Sequence, residues 1–245
     1  MANIDKIKVS LFIPCLINQF FPDTAFSMIN VMKKCGIEPE VKKNQPCCGQ
    51  PGYNMGFHDD AAALAQKFID LYSQTDADYI VVPSGSCAAM VKNNYKNLNL
   101  KSSSEKICEK IIEFSDFMYK SDAYKKLNLK YKGAIFYHKS CHLLNELKID
   151  ESPKNILNSI SGLKWFEADI YDNTCCGFGG SFSAAMPELS IDIGTKKLEF
   201  VKELNLSAFV ACDAGCLMHL KSVSEAQNLK IKFYHFAEFI DYCSN

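Results

Sequence analysis

The 245-residue sequence predicts an α/β protein of two duplicated α/β units, each with a mostly parallel sheet flanked by helices and with cysteine loops at the strand ends. Three observations carry this prediction. First, one cysteine pattern occurs twice at closely matched spacing: Cys15, Cys47-Cys48-Gly49 and Cys87, then Cys141, Cys175-Cys176-Gly177 and Cys216. The offset between matching cysteines drifts only from 126 to 128 to 129, so the chain is an internal duplication around two quartets of thiols. Second, short apolar, β-rich runs bounded by small turn residues precede Cys15, Cys87, Cys141 and Cys216, as buried strands do. Third, helical patterns separate these runs, and strands separated by helices pair in parallel.

In the first half a strand is expected over about 8–13, then a helix from Pro22 to Lys34 stopped near Gly36. Ile37 to Val41 forms a short strand leading into the Cys47 loop. Asp59 and Asp60 open a helix to about Tyr72, their carboxylates well placed against its macrodipole. A strand at 79–82 then leads through the Ser84-Gly85-Ser86 turn to a helix from Cys87. The second half repeats the plan, with strands near 133–137, 164–168 and 207–211 and a long helix from Pro187 to about Leu204, where proline suits the first turn. The lysine-rich, helix-patterned stretch 105–132 reads as the connection. The expected units are 1–125, a first repeat with the connecting helix, and 126–245, a second repeat.

A 48% hydrophobic fraction and a net charge of −1 describe a globular chain with a substantial core and give no basic stripe for nucleic acid. All 27 basic residues are lysine, so no arginine fork is available to grip a small carboxylate. Lys6 and Lys8 before the run Val9 to Ile17 imitate a targeting segment. No small-residue cleavage site follows, and the run matches the strand before Cys141. No apolar stretch approaches the roughly 18–20 residues of a membrane span. A cytoplasmic location is expected, where clustered thiols serve as metal ligands or redox groups rather than structural disulfides.

Consecutive cysteines do not readily bridge to one another, because the ring strains the peptide bond. Their diverging thiols suit two metal atoms of one cluster, and soft thiolates select iron–sulfur clusters or zinc. Zinc usually takes C-x₂₋₄-C knuckles, which the quartets lack with the partial exception of Cys212 and Cys216. The compact ferredoxin run is also absent. The spacing therefore favours a polynuclear cluster held from three strand-end loops, with Cys15, Cys47, Cys48 and Cys87 at one site and Cys141, Cys175, Cys176, Cys216 and also Cys212 at the other.

At these residues the chain resembles the CCG-type cysteine-rich domain proteins over essentially its whole length. The segments that carry the resemblance are Gln45-Pro-Cys-Cys-Gly-Gln-Pro-Gly-Tyr-Asn54, Pro83-Ser-Gly-Ser-Cys-Ala-Ala-Met90, Tyr137-His-Lys-Ser-Cys-His142, Cys175-Cys-Gly-Phe-Gly-Gly180 and Cys212-Asp-Ala-Gly-Cys-Leu-Met218. They look most like the lactate-utilisation A proteins. More distantly they are similar to the CCG-bearing subunit of heterodisulfide reductase and the iron–sulfur subunits of glycolate oxidase and glycerol-3-phosphate dehydrogenase. The resemblance implies iron–sulfur clusters, expected as [4Fe–4S] with one per repeat and with a non-cubane form as an option at the second. It also implies a redox role with a ferredoxin-like iron–sulfur subunit and a third lactate-utilisation subunit, oxidising L-lactate to pyruvate. The heterodisulfide motif ends in C-x-x-C. Here Pro83-Ser-Gly-Ser-Cys87-Ala-Ala-Met90 offers a single cysteine in the first copy, while the second has Cys212 just ahead of Cys216. A competing reading from another class is a zinc-stabilised or thiol–disulfide switch that scaffolds a partner. A third is a subunit of a heterodisulfide reductase- or glycolate oxidase-type complex.

The remaining residues have plainer readings. Cys35, Cys108 and Cys243 match nothing in the other half and are expected as buried small hydrophobes. His138 and His142 flank Cys141, where they either tune a cluster, carry protons or pack a turn. His58, His219 and His235 read as structural or surface residues. Gly177-Phe-Gly-Gly180 lacks the strand–helix context of a dinucleotide loop and reads as a tight loop that offers N–H groups to sulfur. Lys139 and Asp213, lone charges in loops, are expected to be solvated.

Overall fold

The computed structural model describes residues 6–101, 104–167, 175–202, 204 and 206–245. Two four-stranded sheets form its frame, and every recorded strand pair is parallel. The first contains β1 (Val9–Leu11), β2 (Glu40–Val41), β3 (Tyr79–Val82) and β4 (Ile111–Glu113) in the order β2-β1-β3-β4. The second contains β5 (Lys130–His138), β6 (Ser161–Phe166), β7 (Ala208–Ala211) and β8 (Lys232–His235) in the order β6-β5-β7-β8. Helices flank the strands, as the duplicated α/β class requires.

The buried patterns of β1, β3 and β7 have no alternation, as expected for strands covered on both faces. Helix Pro22–Lys34 starts on its proline and gives way to Gly36 at φ +80°, while helix His58–Tyr72 carries Asp59 and Asp60 in its first turn. Helix Pro187–Lys202 likewise begins on proline. The strand expected near 164–168 runs from 161 to 166, and residue 168 lies outside the described residues.

The stretch 105–132 is more than a connection. It holds helix Glu105–Lys110, the strand β4 and helix Phe114–Lys120, and β4 completes the first sheet beside β3. Strand β8 does the same beside β7. Each of these fourth strands ends in a buried residue that caps the next helix. Glu113 accepts from the Ser115 and Asp116 N–H groups, and His235 accepts from the Ala237 N–H in a capping box with Glu238.

These last helices cross between the halves. Helix Phe114–Lys120 packs on helix Glu151–Asn158 of the second half, and helix Phe236–Cys243 packs on Pro22–Lys34 of the first. Thr24 hydrogen-bonds Glu238, and Lys34 pairs with Asp241 at 3.0 Å. One core cluster consequently includes Val9, Met28, Val31 and Phe117 together with Tyr137, Val210, Phe236 and Phe239. Two further clusters back the individual sheets, one around Phe12, Phe68 and Tyr95, the other around Phe136, Phe209 and Leu220. Among the described residues no helix is long and apolar enough to cross a membrane.

Candidate metal centre

In each sheet the chain leaves the first strand toward one neighbour and returns on its other side. The crevice at the strand ends between β1 and β3, and between β5 and β7, is therefore where an open α/β sheet gathers ligands. Cys15 opens the short helix after β1, and Cys87 lies in helix Gly85–Ala89 after β3. Cys141 follows β5, and Cys216 lies in the first turn of the 13-residue helix Ala214–Ala226 after β7. The adjacent pairs Cys47-Cys48 and Cys175-Cys176 enter from the loops that precede Gly49 and Gly177.

Those loops are fastened locally. Gln45 Oε1 accepts from the Ile13 N–H at 2.6 Å, its amide donates to the Lys42 carbonyl at 2.9 Å, and the Tyr95 hydroxyl donates to the Cys48 carbonyl at 3.0 Å. Gly49 and Gly177 adopt φ of +88° and +96°, and each turns its own N–H onto the first cysteine of its pair, at 3.5 Å for Cys47 Sγ and 3.4 Å for Cys175 Sγ. A Cβ on Gly177 would lie 2.5 Å from the carbonyl of Ser190, a residue whose hydroxyl already bonds the Gly177 carbonyl at 2.7 Å. The third residue of the Cys-Cys-Gly motif is thus set by backbone geometry.

The sulfurs converge within each quartet. Cys15 and Cys47 stand 3.6 Å apart, Cys48 and Cys87 3.4 Å, and Cys176 and Cys216 3.1 Å, all as free thiols. Hydrogen bonding from Cys15, then from Cys48, lowers the Cys47 thiol to about 2, while Cys15 and Cys48 are pushed up by the same bonds. Cys175 is lowered to about 2 in the same way, by Cys141 and then Cys176, and both of those are raised. One thiol of each quartet therefore ionises at the expense of its neighbours. Several can be thiolates together only when a cation sits among them.

Both quartets open into one cavity of about 190 Å³, and all eight cysteines line it. Between them lie Ser84, Ser86 and Asp213, where the two halves touch. Asp213 Oδ2 accepts from the Ser86 N–H at 2.9 Å and from Ser84 Oγ at 3.3 Å, and its Oδ1 accepts from the Gly215 N–H at 3.1 Å. One carboxylate therefore caps its own helix and pins the helix that carries Cys87. Asp213 is buried, not solvated, and Lys139 is mostly buried beside Glu167 at 3.3 Å, so both differ from the expectation for lone loop charges. On one rim the Gln50 amide meets His142 Nε2 at 3.1 Å, with Glu146 Oε1 3.4 Å from the same nitrogen.

Cys212 stands apart from this gathering. Its fully buried thiol faces the Tyr137 hydroxyl at 3.8 Å and Ser115 Oγ at 4.0 Å within the core shared by both halves. Cys35 and Cys243 are buried, Cys35 donating to the Ala123 carbonyl at 3.2 Å, and Cys108 is half-buried. His219 braces the Ser190 carbonyl at 3.1 Å, and His235 is a buried cap. His138 is fully buried, and neither ring nitrogen has a hydrogen-bond partner among the described residues. Its ligand atom, Cys176 Sγ and Cys216 Sγ lie within 4.8 Å of one another. The sequence signal for His138 is its place shortly before Cys141, matched in the first half by Phe12 before Cys15.

The donor set fits a thiophilic metal group: eight thiols approach from strand-end loops, and a buried imidazole beside one quartet has no hydrogen-bond partner among the described residues. The comparisons with known proteins agree with this architecture. The cysteine-rich domain model named CCG matches residues 9–92 and 135–221. Lactate utilization protein A 2 of Bacillus cereus (strain Q1) is 34% identical over 240 residues, covering 96% of this chain and 98% of the relative. Lactate utilization protein A of Halalkalibacterium halodurans is 34% identical over 242 residues, covering 96% and 97%. A hypothetical protein from Helicobacter pylori, 11% identical, shares the fold with a TM-score of 0.67 over 98% of this chain and 49% of its own. With two matched repeats whose cysteines close on a common cavity, the chain belongs to the CCG cysteine-rich domain family.

Proposed function

We propose that the chain is a cytoplasmic iron–sulfur electron-transfer subunit of a lactate-utilisation system that oxidises L-lactate to pyruvate. The observation that carries the reading is the convergence of both cysteine quartets on one cavity, with thiols that cannot ionise together unless a cation joins them. The names of its relatives direct the reading toward lactate. Cys15, Cys47, Cys48 and Cys87 would hold one cluster, and Cys141, Cys175, Cys176 and Cys216 the other. When bound, such clusters accept and release single electrons at potentials set by ligands, charge and hydrogen bonds to sulfur.

The chain's own groups supply that setting. The Gly49 and Gly177 N–H groups donate to Cys47 and Cys175 and favour the reduced, more negative state. Cys48, Cys87, Cys176 and Cys216 are buried, whereas Cys15 and Cys175 reach the surface, which leaves an edge where an electron-transfer partner can approach. The Gln50–His142–Glu146 group forms a polar rim next to the thiols. With no arginine anywhere, the chain is a poorer holder of a carboxylate substrate than a partner offering a guanidinium fork, although its lysines could substitute, and the ferredoxin-like subunit and the third subunit complete the system.

Iron and acid-labile sulfide measured after anaerobic purification test the cofactor. Both should be present in proportion to chain. Zinc without sulfide, or reversible disulfides without metal, would transfer the argument to the scaffold or switch reading. The purified chain alone should not turn over lactate with an artificial acceptor, and should do so once a co-purifying partner with ferredoxin motifs is restored. Turnover by the chain alone, or turnover with a heterodisulfide or glycolate in place of lactate, would reject the lactate-subunit assignment.

A further inference from the structure

The two quartets are alike, but their surroundings are not. Phe12 sits beside Val82 at the end of the first sheet, just as His138 sits beside Ala211 at the end of the second. Phe12 stacks edge-on against Phe68 of helix His58–Tyr72, with ring centroids 4.8 Å apart. In the second half, Lys197 takes the place of Phe68: Gly49 abuts the Ala61 carbonyl and Gly177 the Ser190 carbonyl, and aligning the two long helices on these contacts sets Lys197 opposite Phe68. An aromatic pair behind the first quartet is thus replaced behind the second by a buried imidazole and a buried lysine, which lies near enough to influence both His138 and Cys216 electrostatically.

Burying an imidazole with neither nitrogen bonded is unfavourable unless something else satisfies it. For His138 the groups at hand are the two deepest thiols of the second quartet, Cys176 and Cys216, with ligand atoms within 4.8 Å of one another. Its packing partner Phe209, with ring centroids 5.7 Å apart, presents a flat face that fixes the ring and offers no acceptor. A neutral imidazole held in this way is a ready metal ligand.

We propose that His138 is a ligand of the second metal centre, binding an iron atom through a ring nitrogen together with Cys176 and Cys216. The inference rests on the iron–sulfur reading above. It makes the second centre a mixed imidazole–thiolate site and leaves the first with thiolates alone. It also gives the second quartet its fifth donor, a role the sequence alone assigns to Cys212. Added to four thiolates rather than replacing one, the imidazole changes the ligand set without changing its charge, and the ligand set is one of the determinants of cluster potential. The two centres would therefore differ in reduction potential.

The test is pulsed EPR of anaerobically purified, reduced protein grown with ¹⁵N-histidine, with iron and sulfide counted on the same sample. A histidine nitrogen coupled to the second cluster should change with the isotope, vanish in His138→Phe and persist in His142→Leu, while the first site keeps its iron. Both variants install the residue found at the equivalent first-half position, and His138→Gln serves as a second non-imidazole variant. An anaerobic crystal structure of the loaded protein reads the same point directly, as a bond between His138 and iron. Full iron and sulfide with no nitrogen coupling and no such bond would overturn the assignment while leaving the cluster reading intact. Coupling that survives in His138→Phe would overturn it too. A preparation without iron and sulfide would instead remove the cluster reading first, and this ligand with it.

Discussion

Gly49 and Gly177 illustrate how much of the centre is decided by single residues. Both occupy left-handed backbone, but their surroundings differ: a Cβ would lie 3.1 Å from the Ala61 carbonyl at the first and 2.5 Å from the Ser190 carbonyl at the second. Gly49→Ala should cost about 1–2 kcal/mol and Gly177→Ala about 2–4 kcal/mol, with metal retention falling in the same order. Urea unfolding of the metal-free proteins measures this, and equal effects would contradict the packing argument. Cys212 gives the opposite expectation. Its thiol faces Tyr137 and Ser115 in the core, so Cys212→Ser should leave the iron content and the spectrum of the second site as they are. A loss of iron in that variant would return Cys212 to the ligand set. The duplicated spacing made the other eight cysteines legible from sequence. Asp213 was not legible, because its hydrogen bonds run to Ser84 and Ser86, and nothing in a linear pattern reveals which distant backbone a loop carboxylate will cap.

The strands that lead into the cysteines were legible because each is an apolar run ending in small residues. Strands β4 and β8 were harder to see. β4 is very short and sits inside a lysine-rich helical pattern, and β8 carries exposed and half-buried positions at the sheet edge. Their common feature is the buried cap at the end, and here pH provides a test. Burial raises Glu113 from its ordinary 4.5 to about 8, and burial lowers His235 from 6.5 to about 4. For Glu113 the folded state keeps a proton that the unfolded chain releases near pH 4.5, so its contribution is fully present below that pH and is lost as pH rises toward 8. For His235 the unfolded chain binds a proton below about 6.5 that the folded state refuses, so stability is lost as pH falls from 6.5 toward 4. Between pH 6.5 and 8 only the Glu113 effect operates of these two. Metal-free wild type should lose on the order of 2 kcal/mol across that window relative to Glu113→Gln. Parallel stability curves for the two proteins would show that Glu113 does not hold its proton.

At the scale of the whole molecule, duplication predicts two sites but not where they lie relative to each other. That is settled by helices Phe114–Lys120 and Phe236–Cys243, each packed on the opposite half, and by Asp213, which ties the helix carrying Cys87 to the one carrying Cys216. The resulting face-to-face arrangement puts eight thiols around one cavity, and a single shared cluster becomes a concrete alternative to one cluster per repeat. The sulfur contacts favour two. Cys15 with Cys47, Cys48 with Cys87, and Cys176 with Cys216 are all pairs within a quartet, while hydrogen-bonded Ser84, Ser86 and Asp213 stand between the quartets. Replacing Cys47 or Cys48 by Ser should therefore remove about half of the iron and sulfide and leave the second site's spectrum intact, since each repeat would supply its own ligands. Replacing Cys175 or Cys176 should do the reverse, and a double substitution across the halves should empty the protein. With both centres filled and reduced, their closeness across one cavity should also appear as magnetic coupling that either single-site variant abolishes. If one substitution in either half removes all the iron, the centre is a single cluster shared by the repeats, and the duplication serves to build one site from two halves.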